Sequence, residues 1–346
     1  MKHIYTSLDI GSDCIKIVVC ELYQNKLNVL ANYSAVSRGI KRGLIANVES
    51  AKECILEAFN AVEDMLGIKI NKVISNVPSY FNEYNIVKNE IDVTGDTVGY
   101  DDIKKVIDGS IQSKKLYESE MINYIPVDFS LDDETGIKNP FGKSGKKLSV
   151  RAVLISAPKK YVYSVVELLE SIGKEIIDIS TSSIGDIYAF KSKQIDSTIS
   201  SIVNIGSETT TVALYNKGVI VKNSIINMGG KHISNDIAYM YKIDNKTAED
   251  LKMKFALAYK HNASANNTYE LINDDNEEIK INQFEISEIV SSRLEEILNL
   301  AKKELNILTR KQIDYIIKKM SMAGLDNHMY LAKLAVEETG RGVYED

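Results

Sequence analysis

Leu8-Asp9-Ile10-Gly11-Ser12 and Val203-Asn204-Ile205-Gly206-Ser207 are one phrase written twice, almost two hundred residues apart in a chain of 346. In each copy an apolar strand runs into a glycine turn, Gly11-Ser12-Asp13 or Gly206-Ser207-Glu208. A second strand follows, Ile15-Lys16-Ile17-Val18-Val19 or Thr209-Thr210-Thr211-Val212-Ala213-Leu214-Tyr215. A polar turn, Gln24-Asn25-Lys26 or Asn216-Lys217-Gly218, then leads to a third. Solenoid periods run to about 20–50 residues, so a separation this long marks a duplicated domain and not an array.

Working outward, Asn47-Val48-Glu49-Ser50 opens a helix whose apolar positions, Ala51, Ile55, Phe59, Val62 and Met65-Leu66, recur at helical spacing until Gly67 stops it. Val73-Ile74-Ser75-Asn76-Val77 reads as a buried strand. From about Ser79 to Pro158 the pattern changes. Alternating stretches such as Asn85-Ile86-Val87-Lys88 and Leu148-Ser149-Val150-Arg151-Ala152-Val153-Leu154 flank one helix near Asp101 to Lys115, as in a small α+β module set into a larger α/β domain. A helix from Tyr161 to Ile172 resumes the first pattern. Asp196-Ser197-Thr198-Ile199-Ser200-Ser201 is the clearest composition break and reads as an inter-domain hinge. Helices are expected over Ser234–Tyr241, Thr247–Leu257 and Glu285–Leu305, with loops at His261–Asn267 and Asn273–Glu278.

Composition narrows the function classes. Net charge is −6 at pH 7, so no basic stripe recommends nucleic acid as a partner. Cys14, Cys20 and Cys54 form no CxxC pair, and the four histidines have no metal spacing, which fits a reducing cytoplasm. No apolar run approaches the ~18 residues of a membrane span. The basic run from Lys302-Lys303 through Arg310-Lys311 to Lys318-Lys319 is interleaved with Glu304 and Asp314 and reads as a solvated helix face.

The chemistry lies in the paired turns. Glycine and hydroxyl residues let backbone N–H groups approach an anion with no Cβ in the way. Two such turns facing one another would clamp the phosphates of one nucleotide through Gly11, Ser12, Asp13, Gly206, Ser207, Glu208 and Thr209. Asp9, just before the first turn, is the natural ligand for Mg²⁺, which prefers carboxylates and waters. A single copy would be an ordinary β-hairpin; the second copy favours a site.

These turns resemble the phosphate loops of the actin, sugar-kinase and Hsp70 ATPase superfamily, and within it the chain resembles the FtsA family of actin-like bacterial cell-division proteins. Arg38-Gly39-Ile40-Lys41-Arg42-Gly43 is similar to that family's G-I-x-x-G segment. The stretch from Gly136 to Gly145 resembles part of its inserted subdomain. Gly229-Gly230-Lys231-His232-Ile233-Ser234-Asn235-Asp236-Ile237-Ala238 and Ala248-Glu249-Asp250-Leu251-Lys252 are similar to its nucleotide-side helices. The resemblance implies an α/β, two-lobed actin-like (ribonuclease H-like, duplicated) ATPase fold with an inserted α+β subdomain of FtsA type. Its divisions would be a first lobe at 1–78 and 159–196, the insert at 79–158, and a second lobe at 197–230 and 231–293. Residues 294–346 would form the return of the second lobe and a short C-terminal end. Gly229 and Gly230 would border the phosphates, Glu249 and Lys252 the adenosine end, and Gly324 the adenosine loop. The plainer reading of Glu249 and Lys252 is an exposed helical charge pair worth a few tenths of a kcal/mol.

The resemblance further implies ATP with Mg²⁺ as ligand, at most weak hydrolysis, self-association into filaments, and binding of the FtsZ C-terminal tail through roughly Lys231 to Arg293. The place of work would be the cytoplasmic face of the membrane at the division site. Where the family carries an amphipathic membrane helix, the chain here ends in Gly340-Arg341-Gly342-Val343-Tyr344-Glu345-Asp346, so the expectation is an anchor trimmed away or delegated to a partner. A small-molecule kinase of the same superfamily and a pilus-assembly-type adaptor are the alternatives.

Several positions depart from the family pattern. Cys14 stands where relatives carry a phosphate-reaching lysine, with Lys16 on the same strand face as a substitute. Asn204 replaces an acid, Ser207-Glu208 replaces a glycine pair, and a Glu208 carboxylate would repel phosphate unless turned away. Met322-Ala323-Gly324-Leu325 stands in for a glycine-rich loop. One motif is a decoy: Gly136 to Ser144 satisfies GxxxxGK[ST], but a P-loop must open a helix, and Gly145-Lys146-Lys147-Leu148-Ser149-Val150 alternates like a strand.

Overall fold

Strands β1 (His3–Ile10), β2 (Cys14–Tyr23) and β3 (Lys26–Val36) form an antiparallel meander in which Ile15, Ile17 and Val19 alternate inward and are fully buried. A two-residue ladder, β4 (Ile40–Lys41) with β5 (Leu44–Ile45), leads to helix α1 (Val48–Leu66). Asn47 caps α1, its Oδ1 accepting from Ser50 N–H at 3.0 Å, and Gly67 ends it in the left-handed region. Ala51, Ile55, Ala58, Phe59 and Val62 lie along one face of α1 and bury completely against the meander. Each large side chain buried this way contributes about 1.5–3 kcal/mol. Strand β6 (Lys72–Asn76) then runs parallel beside β1.

The computed structural model describes residues 3–305, which fall into two compact units, Met1–Asp236 and the described part of Ile237–Asp346. The first unit carries an insert with its own sheet and core. Strands β7 (Glu83–Asp92), β8 (Ser119–Leu131), β9 (Glu134–Ile137) and β10 (Lys147–Pro158) order as β7-β10-β8-β9, with helix α2 (Tyr100–Gln112) burying Val106 in one cluster with Phe129, Leu148 and Val150 of the sheet. The GxxxxGK[ST] stretch lies across β9 and the turn into β10. No helix follows it, and Lys143 Nζ is engaged by Glu134 Oε1 at 2.6 Å.

After the insert, α3 (Lys159–Ser171) leads to β11 (Glu175–Ser180), parallel to β6, completing the five-stranded order β11-β6-β1-β2-β3. Helix α4 (Ser182–Ala189), which periodicity did not reveal, precedes the second meander of β12 (Ile199–Ile205), β13 (Thr210–Asn216) and β14 (Val219–Ile226). Helix α5 (Gly230–Tyr241) follows. The compact units divide after Asp236, and the composition break at 196–201 lies inside the first of them. There Thr198 Oγ1 donates to Gln194 O, and Lys217 N–H donates to Thr198 O at 2.9 Å.

In the second unit, α6 (Asn245–Lys254) is capped by Asp244, whose Oδ1 accepts from Lys246 and Thr247 N–H. The polar stretch at Asn273–Glu278, expected as a loop, is the turn of a hairpin, β15 (Thr268–Ile272) and β16 (Glu278–Asn282). Asn273 Oδ1 shapes it by accepting from Asp275 and Glu277 N–H. Helix α7 (Gln283–Glu304) holds the preceding loop by burying Ser287 and Ser291, whose hydroxyls accept from Leu257 and Lys260 N–H.

Candidate functional site

The two glycine turns are congruent in detail. Gly11 N–H closes the first onto Cys14 O at 3.2 Å, and Gly206 N–H closes the second onto Thr209 O at 2.9 Å. Pairing resumes identically after each four-residue turn, Ile10 with Ile15 and Ile205 with Thr210. Even the bulge against the third strand recurs at the equivalent place, Val19/Cys20 and Leu214/Tyr215. A Cβ on Gly11 would stand 2.7 Å from Cys14 O, and one on Gly206 2.9 Å from Thr209 O, so the closure itself demands glycine.

One loop reaches both turns. Gly43 N–H donates to Ser12 Oγ at 2.8 Å, and the adjacent Arg42 N–H donates to Glu208 Oε2 at 2.6 Å. Consecutive peptides of this loop thus bring the turns into one neighbourhood. Glu208 also accepts from Lys231 Nζ at 3.0 Å, and its side chain is only 12% exposed. Burial pulls the Glu208 carboxyl upward, but the Arg42 N–H and the Lys231 ammonium outweigh it and hold the group below its ordinary range. The carboxylate is therefore turned away and neutralised, which removes the repulsion its position suggests.

Gly229 and Gly230 back the second turn and do not offer donors to open space. Gly230 and Lys231 N–H donate to Gly206 O and Ser207 O, each at 2.8 Å, and Gly229 N–H donates to His232 Nδ1 at 3.1 Å. By contrast, the N–H groups of Ser12, Asp13, Ser207, Glu208 and Thr209 make no hydrogen bond among the described residues. Five such donors on two adjacent turns form a nest suited to an anion with several oxygens.

Asp9 stands beside this nest. Its Oδ1 accepts from Asn76 Nδ2 at 2.6 Å, Asn76 Oδ1 accepts from Ile10 N–H, and Lys16 Nζ lies 3.9 Å from Oδ2. Lys16 stands across the ladder from Asp9. Partial burial lifts the Asp9 carboxyl above its ordinary range, against Lys16 and Asn76. Asn204, at the equivalent place in the second meander, faces Asp186 of α4, both of whose oxygens lie 3.3 Å from Asn204 Nδ2. Burial raises the Asp186 carboxyl too, Asn204 opposes, and the charge of Asp9 adds to the rise. Asp186 of α4 thus sets a carboxylate beside position 204, which carries none of its own, and sequence reasoning missed that residue. Asp9 and Asp186 are the carboxylates available to a hydrated divalent cation, although no cluster of three or more metal-ligating side chains occurs among the described residues.

Cys14 is a resting thiol, its pKa raised first by burial and then by its hydrogen bond to Asp13. In the second unit Glu249 and Lys252 pair with one another at 2.7 Å, with the Lys252 side chain only 12% exposed. Gly324 and the basic run from Arg310 onward lie outside the described residues.

Two family models match this sequence. "Cell division protein FtsA" matches residues 201–334, and "SHS2 domain inserted in FTSA" matches residues 83–156, the insert of β7 to β10. FtsA of Streptococcus pneumoniae is 27% identical over 304 residues, covering 87% of this chain and 66% of the relative. FtsA of Bacillus subtilis is 27% identical over 307 residues, covering 88% and 70%. The chain thus spans about two thirds of the length of these relatives. Among solved structures, the PilM–PilN type IV pilus biogenesis complex matches with a TM-score of 0.57 at 14% identity, covering 88% of this chain and 76% of that one. MreB5 of Spiroplasma citri, solved bound to ADP, matches with a TM-score of 0.53 at 16% identity, covering 92% and 83%. Likeness at such identity speaks to fold alone, and the fold is actin-like. With one family model falling on the insert and the other running from the second meander onward, the chain is similar to the FtsA family of cell-division proteins over most of its length.

Proposed function

We propose that this chain binds ATP with Mg²⁺ across the two turns and uses the nucleotide as an assembly ligand, polymerising and linking FtsZ filaments to the division site at the inner face of the membrane. The observation that carries the nucleotide reading is the congruence of the turns, with five undonated N–H groups beside Asp9. ADP in the MreB5 relative of the same fold supports it. The ligand would act through differential affinity for assembled and free states, with at most slow turnover. Self-association would be head to tail, the arrangement that yields open filaments. The FtsZ tail would dock on roughly Lys231 to Arg293. There Lys242, Lys254, Lys260 and Lys280 are engaged in ion pairs with exposed acids, weak enough to exchange for an acidic peptide. Membrane contact would be peripheral; no helix among the described residues is long and apolar enough to cross a membrane.

Titrating a labelled FtsZ C-terminal peptide with this protein, with and without Mg-ATP, tests the tether. Saturable binding at micromolar concentration is expected, tighter with nucleotide. Silence in both conditions, with capture of a different short peptide, would move the reading to an actin-like adaptor.

Lys143→Ala is expected to leave ATP affinity unchanged within about twofold. Lys143 is paired with Glu134 on the insert, and its segment opens no helix that could hold a phosphate. A tenfold loss by fluorescence titration would restore the P-loop reading.

A further inference from the structure

Glu208 occupies a place that the family pattern gives to glycine, and the structure gives its side chain a definite task. Its two oxygens are divided between elements far apart in the chain: Oε2 takes Arg42 N–H at 2.6 Å, and Oε1 takes Lys231 Nζ at 3.0 Å. Arg42 belongs to the loop whose next residue, Gly43, holds Ser12 of the first turn. Lys231 opens α5, whose first residues hold the carbonyls of the second turn. The links therefore run continuously from Ser12 through Gly43 and Arg42 to Glu208. Arg42 adopts φ +53°, a conformation unusual for a residue with a side chain, and the two hydrogen bonds either side of its peptide compensate for it. A carboxylate accepting a backbone N–H and an ammonium makes stronger hydrogen bonds than a neutral acceptor would.

We propose that Glu208 is a positioning residue that latches the two anion-binding turns at a fixed spacing, so that a nucleotide clamped between them leaves slowly. The latch is built from protein groups alone and forms without nucleotide; its effect on ligand release rests on the nucleotide reading given above. It acts on the exit of the ligand, since the carboxylate engages none of the five open N–H groups of the turns.

Two measurements on the full chain separate the latch from that reading. The first is amide hydrogen exchange without nucleotide. Glu208→Ala should strip protection from the Arg42 amide, whereas Glu208→Gln, which keeps an acceptor oxygen, should retain most of it. Ser12→Ala serves as the comparison, stripping the Gly43 amide instead. The second is dissociation of a fluorescent ATP analogue by stopped flow. Glu208→Ala is expected to speed release about ten- to hundred-fold, the range for losing a hydrogen bond to a charged group. Glu208→Gln should fall between Glu208→Ala and the parent, with Lys143→Ala unchanged. A merely structural role would lower the melting temperature and leave both the Arg42 amide and the release rate of folded protein unmoved. Unchanged Arg42 exchange in Glu208→Ala overturns the latch. Loss of Arg42 protection in Glu208→Ala, together with a parent protein that binds no nucleotide, would keep the latch and overturn the nucleotide reading.

Discussion

Gly229→Ala is expected to reduce ATP affinity at least about 100-fold in a chain that remains folded. A Cβ built on Gly229 would lie 2.3 Å from Gly206 O, 2.6 Å from Ser207 O and 2.8 Å from Ser207 C, separations that real side chains do not sustain. The obstructing atoms are backbone, so no rotamer relieves the clash. They are also held from several sides, by Gly230 and Lys231 N–H on the two carbonyls and by Gly206 N–H on Thr209 O. Relief must come from displacing the Gly206–Ser207 turn, and that turn carries three of the five open donors. Each hydrogen bond to a charged phosphate oxygen contributes about 1.5–3 kcal/mol, so misplacing two of them accounts for a loss of this size. Gly185→Ala is the matched control: it lies in α4, a Cβ there meets nothing within 4 Å, and the helix gains about 1 kcal/mol of propensity. Calorimetric titration with Mg-ATP, alongside circular dichroism, makes the comparison. Equal affinity in Gly229→Ala and the parent would show that the second turn does not hold the ligand.

What the sequence disclosed, and what it hid, divides along physical lines. The duplicated hairpin was legible because glycine closure and strand alternation are local, and both recur in register down to the bulge. The insert announced itself through alternation, yet β8, its longest strand, was missed. Pro126 interrupts its pattern, and the structure tolerates that proline because the register shifts there, next to the Arg151/Ala152 step of β10. Helix α4 escaped because its eight residues, with Gly185 inside, put only Ile184 and Ile187 at helical spacing, too short a run to stand out. Asp186 escaped with it, since only the fold sets α4 beside Asn204. Glu208 was legible as an anomaly but not as a contact: its partner Arg42 is 166 residues away, and no spacing rule spans that distance.

The same long-range logic governs the first sheet's buried ion pair, where the largest effect on stability is expected. Glu63 on α1 and Lys174 before β11 meet at 2.7 Å with side chains 4% and 8% exposed. Glu63 also accepts from Lys69 Nζ and Ile70 N–H, while Lys174 donates to Ile70 O and sits over the Phe59 ring. Every buried charge here is thus paired and hydrogen-bonded. Lys174→Met is expected to cost about 3–5 kcal/mol, because it leaves a carboxylate in the core with only the exposed Lys69 and one N–H. The double replacement Glu63→Leu with Lys174→Met should recover most of that loss, since an apolar pair of similar volume leaves no charge uncompensated. The pH response fixes the cause. Burial would raise the Glu63 carboxyl, but Lys174, Lys69 and the Ile70 N–H overcome it and lower the group from 4.5 to about 2. Because the folded value lies below the unfolded one, the pair's stabilisation is fully present above about pH 4.5 and drains away as pH falls toward 2. Urea unfolding followed by circular dichroism across that window should show the parent losing stability more steeply than the double variant. Parallel slopes would mean that Glu63 contributes no proton linkage and that Lys174 acts through its packing on Phe59 alone.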